Sequence, residues 1–190
     1  VDFDPNLVID EDPEVYRPSD DSYLLLAAVS VQPGERFLEV GTGTGLIAIH
    51  AAKLTPAIAT DVNASAVRLA QENARRHGVE LGLVRCDLMS AFRRPFDVVA
   101  FNPPYLEGRP EDNLDRAWHG GDRGAEIATR FLRDLPRVLS PRGRAYLVLT
   151  GTNEGAWLAA MSDFTAEVVL SKAMFFEQLS VLELRPKPKG

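Results

Sequence analysis

The chain has one cysteine, Cys86, in 190 residues. That excludes an internal disulfide and a cysteine-based zinc site, and makes a reducing compartment, the cytoplasm, the natural expectation. Basic charge is also short: 21 Lys and Arg against 27 Asp and Glu leave a formal charge of -6. A stable nucleic-acid binder usually shows phosphate a basic face, so this balance points instead to a charged small ligand or a protein partner. No apolar stretch approaches the length of a membrane span, and the opening "VDFDP" is acidic where a signal peptide carries positive charge. His50, His77 and His119 are scattered without ligand spacing, so no metal site is expected. Repeats and linkers are missing as well. With 45% apolar residues, the length suits one domain with a substantial core.

What is present is an alternation of short apolar runs with helical patterns, the mark of a doubly wound α/β sheet. After Pro18, "SDDSYLLLAAV" puts Ser22, Leu25, Leu26 and Val29 on one helical face and reads as a lid or amino-terminal helix. "RFLEV" predicts a buried strand, "LIAIHAAKL" a helix and "AIATD" a second strand. "NASAVRLAQENARRHG" predicts a helix between an Asn63 cap and Gly78, with "ENARRHG" as a solvated face. "LGLVRCD" and "FDVVAF" follow as strands, Cys86 being read as a buried strand residue, and then a long loop runs through "GGDRG". A helix over residues 125–139 contains Pro136, which predicts a kink or an early end. "SPRG" then turns into strand "RAYLVL", a helix forms around Trp157, and "AEVVLSKAM" with "FEQLSVLEL" makes a closing antiparallel pair before a frayed "RPKPKG".

Chemistry concentrates where strands end. "EVGTGTG" follows the first strand and opens a helix, the place where glycines let a nucleotide-like ligand approach the backbone. A dinucleotide fingerprint would need glycine where Leu46 stands. Glu39, just before the glycines, would repel a pyrophosphate and suits a ligand carrying an ammonium or sulfonium. Asp61 closes the second strand about twenty residues after the first glycine, where a carboxylate accepts bonds from both ribose hydroxyls. Asp87 closes the third, where it reads either as an acceptor for an adenine amino group or as a solvent-facing loop acid. Three acids ending consecutive strands line one rim.

The fourth strand ends in "NPPY", Asn102 to Tyr105. A turn that stops a buried strand accounts for one proline but not for this order. Together, "EVGTGTG", Asp61, Asp87 and "NPPY" resemble the class I S-adenosylmethionine-dependent methyltransferases of the HemK or PrmC type, which methylate a glutamine side-chain amide in translation release factors. "VYRPSDDSYLLL" resembles the amino-terminal signature of the short archaeal and eukaryotic HemK-like proteins, and "AWHGGDRG" resembles their loop after NPPY. The longer bacterial members carry an extra amino-terminal helical domain that has no counterpart in these residues.

The resemblance implies a single Rossmann-like class I methyltransferase domain over residues 1–190. Its expected sheet is seven-stranded and mostly parallel, with a C-terminal antiparallel hairpin and helices on both faces. Residues 1–32 form the amino-terminal segment and lid helix, and 33–190 the catalytic core. S-adenosyl-L-methionine is the implied cofactor, contacted by Tyr16, Pro18, Ser22, Glu39, Gly41, Gly43, Gly45, Asp61, Asp87, Leu88 and Asn102. Asn102, Pro103, Pro104 and Tyr105 are the implied catalytic group. An amide nitrogen is a poor nucleophile because its lone pair is delocalised. The Asn102 side-chain oxygen and the Pro103 carbonyl would each accept one N–H and aim that lone pair at the methyl group. The prolines stiffen this geometry and Tyr105 stacks on the planar group.

The implied partners are a release factor as substrate and a small zinc-binding activating subunit that adds along the apolar edge of "LGLVRCD", at Leu81, Leu83 and Val84. No stable nucleic acid and no membrane are expected. His119 reads as a plain loop histidine and Trp118 as core packing. Two other functions fit parts of the pattern. The same motif serves exocyclic amines of adenine or guanine in DNA or RNA, and a non-catalytic cofactor-binding scaffold would keep the fold.

Overall fold

Phe37–Val40 (β1) is buried along its whole length, as a parallel strand covered on both faces must be. It is flanked by β2 (Ala57–Asp61) and β4 (Phe96–Phe101), both parallel to it. In this computed structural model, which describes residues 1–104, 125–151, 153–174 and 178–188, one sheet runs in the order β3-β2-β1-β4-β5-β7-β6. β3 (Gly82–Arg85) forms one edge. β5 (Leu139–Thr150) continues the parallel set, while β7 (Gln178–Pro186) runs antiparallel between β5 and β6 (Phe164–Ala173). The doubly wound sheet with a closing antiparallel pair is as the sequence pattern predicts.

Side-chain alternation along the strands divides the core in two. Leu38, Val40, Val99, Phe101 and Leu147 face α4 (Glu126–Val138) and α5 (Glu154–Asp163), meeting Phe131, Leu132, Leu135 and Ala160. Phe37, Val98, Ala100, Tyr146 and Val148 face α1 (Asp20–Ala28) and α2 (Leu46–Ala52), meeting Leu25, Leu26, Ile47 and Ala48. Glu39, one residue from Leu38 and from Val40, shares the Phe37 face.

The early end expected for α4 is not found. The helix neither stops before Pro136 nor at it, but runs on to Val138. Pro136 lies in the last turn, where it removes one backbone bond at a cost of about 3 kcal/mol. Leu135 and Val138, both fully buried, each return about 1.5–3 kcal/mol on the same face, so burial wins. The "SPRG" segment also differs: it lies inside β5, where pairing with β4 shifts register between Phe96 and Val98. The tail is more engaged than a frayed end, since β7 reaches Pro186 and Lys187 Nζ donates to the carbonyls of Met161 and Ser162 at the end of α5.

The amino-terminal residues form a strap along α3 (Ala64–Arg76). His77 Nε2 bonds the Val8 carbonyl at 2.8 Å, and Arg76 pairs with Asp10 at 2.5 Å. Farther along, Asn63 Nδ2 and Ser65 Oγ donate to the carbonyl and carboxylate of Glu14. In the "ENARRHG" run Glu72, Arg75, Arg76 and Gly78 are exposed as expected, but Asn73 and Ala74 are buried where the strap covers them. No helix of the described residues is long and apolar enough to cross a membrane.

Candidate active site

A cavity of about 420 Å³ opens at the carboxyl ends of β1, β2 and β4 and beside the residues after β3. This is where ligands bind in open α/β sheets, outside the strand ends at the switch in strand order. Every predicted site residue within the described part except Gly45 lines it: Tyr16, Pro18, Ser22, Glu39, Gly41, Gly43, Asp61, Asp87, Leu88, Asn102, Pro103 and Pro104. Gly45 sits behind the lining. Tyr105, Trp118 and His119 lie outside the described residues.

The glycine loop is held in a conformation that only glycine adopts cheaply. Gly41, Gly43 and Gly45 have φ of 66°, 53° and 87°. A methyl group on Gly45 would also sit 3.1 Å from Ala70 Cβ, so the loop packs directly on α3. The Thr42 amide donates to the Thr60 carbonyl at 2.9 Å, and the Gly43 amide to Asp61 Oδ2 at 3.0 Å, which ties the loop to the end of β2.

Two acids are buried here. Glu39, 4% exposed, accepts at Oε2 from Thr42 Oγ1 at 2.6 Å and from the Ala48 amide at 2.9 Å. Burial nevertheless pushes its carboxyl up to about 8, helped by the nearby negative charge of Asp61. Asp61 takes the Gly43 amide on one oxygen and the Asn63 amide on the other, and burial raises it too. Asn63, not Asp61, caps α3, accepting from the Ser65 amide. The Asp61 carboxylate thus keeps acceptor capacity for another donor. Two acids held above their ordinary range in one pocket fit a ligand that brings positive charge and hydroxyl donors.

Past β3, Leu88 is the one non-glycine residue at positive φ among those described, at 47°. Its carbonyl accepts from Thr60 Oγ1 at 3.2 Å and Cys86 Sγ at 3.3 Å, bonds that hold a strained residue against the cavity. Cys86 is accordingly not a buried strand residue: it lies one residue beyond β3, half-buried, on the cavity wall. Asp87 is exposed, and its Oδ2 accepts from Arg130 of α4 at 2.5 Å.

The opposite wall comes from the strap and α1. Tyr16 Oη donates to Asp21 Oδ2 at 2.8 Å, while Asp21 Oδ1 takes the Ser22 amide at 2.6 Å and the Ser22 hydroxyl at 3.1 Å. Asp21 is 1% exposed and lines the cavity, as do Arg130 and Phe101, none of which the sequence reading singled out. For Asp21 the clue was an acid beside Ser22 on the buried face of a short apolar helix.

At the end of β4, Asn102 Oδ1 is buried and has no hydrogen-bond partner among the described residues. An unpaired buried acceptor costs about 1–3 kcal/mol. Pro103 beside it is buried and Pro104 half-buried, with neither nitrogen able to donate. Among the described residues, no cluster of three or more His, Cys, Asp or Glu side chains is placed to hold a metal.

Residues 16–172 match the family model described as "Methyltransferase small domain". The chain is 36% identical over 179 residues to a protein named as a putative protein N5-glutamine methyltransferase of Methanocaldococcus jannaschii, covering 90% of this chain and 91% of that one. It is 33% identical over 190 residues to the methyltransferase HEMK2 of Homo sapiens, covering 90% and 89%. Its fold matches a chain in the structure of the E. cuniculi Mtq2–Trm112 complex, described as responsible for methylation of the eRF1 translation termination factor. That match has a TM-score of 0.75 at 24% identity and covers 92% of this chain and 99% of that one. With the glycine loop, the buried acids and Asn-Pro-Pro on one cavity, the chain belongs to the HemK/PrmC-type class I methyltransferases, whose methyl donor is S-adenosyl-L-methionine.

Proposed function

We propose that this protein transfers a methyl group to the side-chain amide nitrogen of the glutamine in the Gly-Gly-Gln loop of a translation release factor. The observation that carries this reading is the buried Oδ1 of Asn102, without a hydrogen-bond partner among the described residues, beside a proline carbonyl. A primary amide brings two N–H donors in one plane, one for Asn102 and one for the Pro103 carbonyl. Accepting both holds the nitrogen lone pair in one direction and stabilises positive charge that develops on nitrogen. The name of the archaeal relative, a putative protein N5-glutamine methyltransferase, supports glutamine as the substrate class.

When bound, the cofactor supplies a methyl group already activated by a sulfonium, so neither a metal nor a nucleophilic side chain is needed. Asp61 would hold the ribose hydroxyls, Asp87 the adenine amino group, and Glu39 would balance the charge of the methionine end. Tyr16, Pro18 and Ser22 close the outer wall.

A small activating subunit, zinc-binding in the form we propose, adds along β3. That strand is an edge, and Leu81, Leu83 and Val84 are only half-buried there, leaving backbone and apolar groups for a partner strand. Incubation with labelled cofactor and separate release-factor and nucleic-acid substrates, with and without such a subunit, tests the substrate class. Label in the release factor alone supports this function. Label in adenine alone overturns it.

A further inference from the structure

In the amphipathic helix α3, the buried face is Ala66, Leu69, Ala70, Asn73 and Ala74, spaced by three, four and seven as a core-facing stripe requires. Ser65, at the start of the helix, is buried and polar as well; Asn73 is the fully buried polar member. A buried amide left unpaired is costly, so its contacts show what holds it there. Its Nδ2 donates to the Thr44 carbonyl at 2.9 Å and to the Asp10 carbonyl at 3.2 Å, while its Oδ1 accepts from the Asp10 amide at 2.9 Å. Toward Asp10 the side chain mimics a neighbouring strand, bonding both the N–H and the C=O of one residue. Toward Thr44 it reaches the glycine loop.

Thr44 lies between Gly43 and Gly45, and the strap bonded at Asp10 leads through Val15 to Tyr16 and Pro18. Val15, Tyr16, Pro18 and Thr44 all line the cavity. The two walls also approach one another directly, since a methyl group on Gly43 would sit 3.6 Å from the Tyr16 carbonyl. Among the described residues, the other α3 pins on the strap, from His77, Arg76 and Ser65, reach no atom of the glycine loop.

We infer that Asn73 is a positioning residue for the cofactor, one amide that sets the separation between the glycine loop and the strap wall. It touches neither cofactor nor substrate. It acts by holding Gly43 to Gly45 and Tyr16 to Pro18 in register, so that both walls meet the ligand without ordering on binding.

The test compares Asn73→Ala, Asn73→Asp and the control His77→Ala by calorimetric binding of S-adenosylhomocysteine, with cofactor KM and kcat alongside. Asn73→Asp keeps an acceptor for the Asp10 amide and removes both donors. Should Asn73→Ala fail to fold, Asn73→Asp carries the test. His77→Ala loosens the same strap at Val8 and leaves the loop alone. The expected result is about tenfold or greater loss of affinity in both Asn73 variants, less than about twofold loss in His77→Ala, and kcat at saturating cofactor within about twofold of wild type. Amide exchange at Gly43 and Gly45 should quicken in the Asn73 variants alone. Wild-type affinity in Asn73→Asp, or equal losses in His77→Ala, overturns the inference. Product binding involves no methyl acceptor, so an error in the proposed substrate would leave this result unchanged.

Discussion

At the β1–β2 end of the pocket the acids are already furnished with donors from the chain: Thr42 and Ala48 for Glu39, Gly43 and Asn63 for Asp61. At the β4 end, Asn102 Oδ1 has none among the described residues. The first arrangement fixes direction before the ligand arrives. The second leaves an acceptor that, in the function we propose, takes a donor from the substrate amide. Strength in the transition state matters more for rate than strength in the ground state, so the β4 end should govern turnover and the β1–β2 end affinity.

The largest effect should come from the β4 end. Asn102→Ala removes the oxygen while leaving the cofactor acids in place, and should lower methyl transfer by about a hundredfold or more with cofactor affinity nearly intact. Steady-state kinetics beside calorimetry checks the split. Equal losses in binding and turnover would erase the distinction between the two ends.

Next in size is Asp61→Ala. A hydrogen bond to a charged group is worth about 1.5–3 kcal/mol, so cofactor affinity should fall about tenfold to a hundredfold. The loss should appear in Kd and cofactor KM, with a smaller change in kcat.

A pH experiment probes the β1–β2 end without touching turnover. Glu39, held up to about 8, keeps its proton in the folded chain over a range where the unfolded chain has lost it. The folded state binds more protons between the ordinary carboxylate range and about pH 8, so stability must fall as pH rises through that window. Asp61 is raised too and adds to the same slope. Calorimetry of the free protein should show Tm falling by several degrees, on the order of 2–4 °C per kcal/mol, and Glu39→Gln should flatten the fall. Cofactor affinity should rise over the same window, because a bound cation favours ionised Glu39.

Asp87→Ala should be mildest. The Asp87–Arg130 pair is largely exposed, so stability should change by less than about 1 kcal/mol. Losing one acceptor for the adenine amino group should weaken cofactor binding by about fivefold, and a titration against wild type measures it.

The strands, helices and rim acids were legible because each rests on a local rule: apolar runs bounded by glycine, an Asn cap at residue 63, and acids at strand ends. Pro136 does not end the helix early because propensity describes an isolated helix, whereas Leu135 and Val138 anchor this one by burial. Asn73 misled for a related reason. Its neighbours Glu72, Arg75 and Arg76 read as solvated, and only the strap, 63 residues away in sequence at Asp10, shows why an amide belongs on the buried stripe. Arg130 was missed because its place depends on Asp87, 43 residues away, a contact that no spacing encodes, whereas Asp21 had a local clue in its position beside Ser22.

The most direct test of the account is mass spectrometry of a release factor after incubation with the protein and S-adenosyl-L-methionine, using wild type and Asn102→Ala side by side. The account predicts one added methyl on the Gly-Gly-Gln glutamine with wild type, and that methyl nearly gone with Asn102→Ala. A methyl group on adenine of an added nucleic acid, with the release factor unmodified under every partner condition, would contradict it.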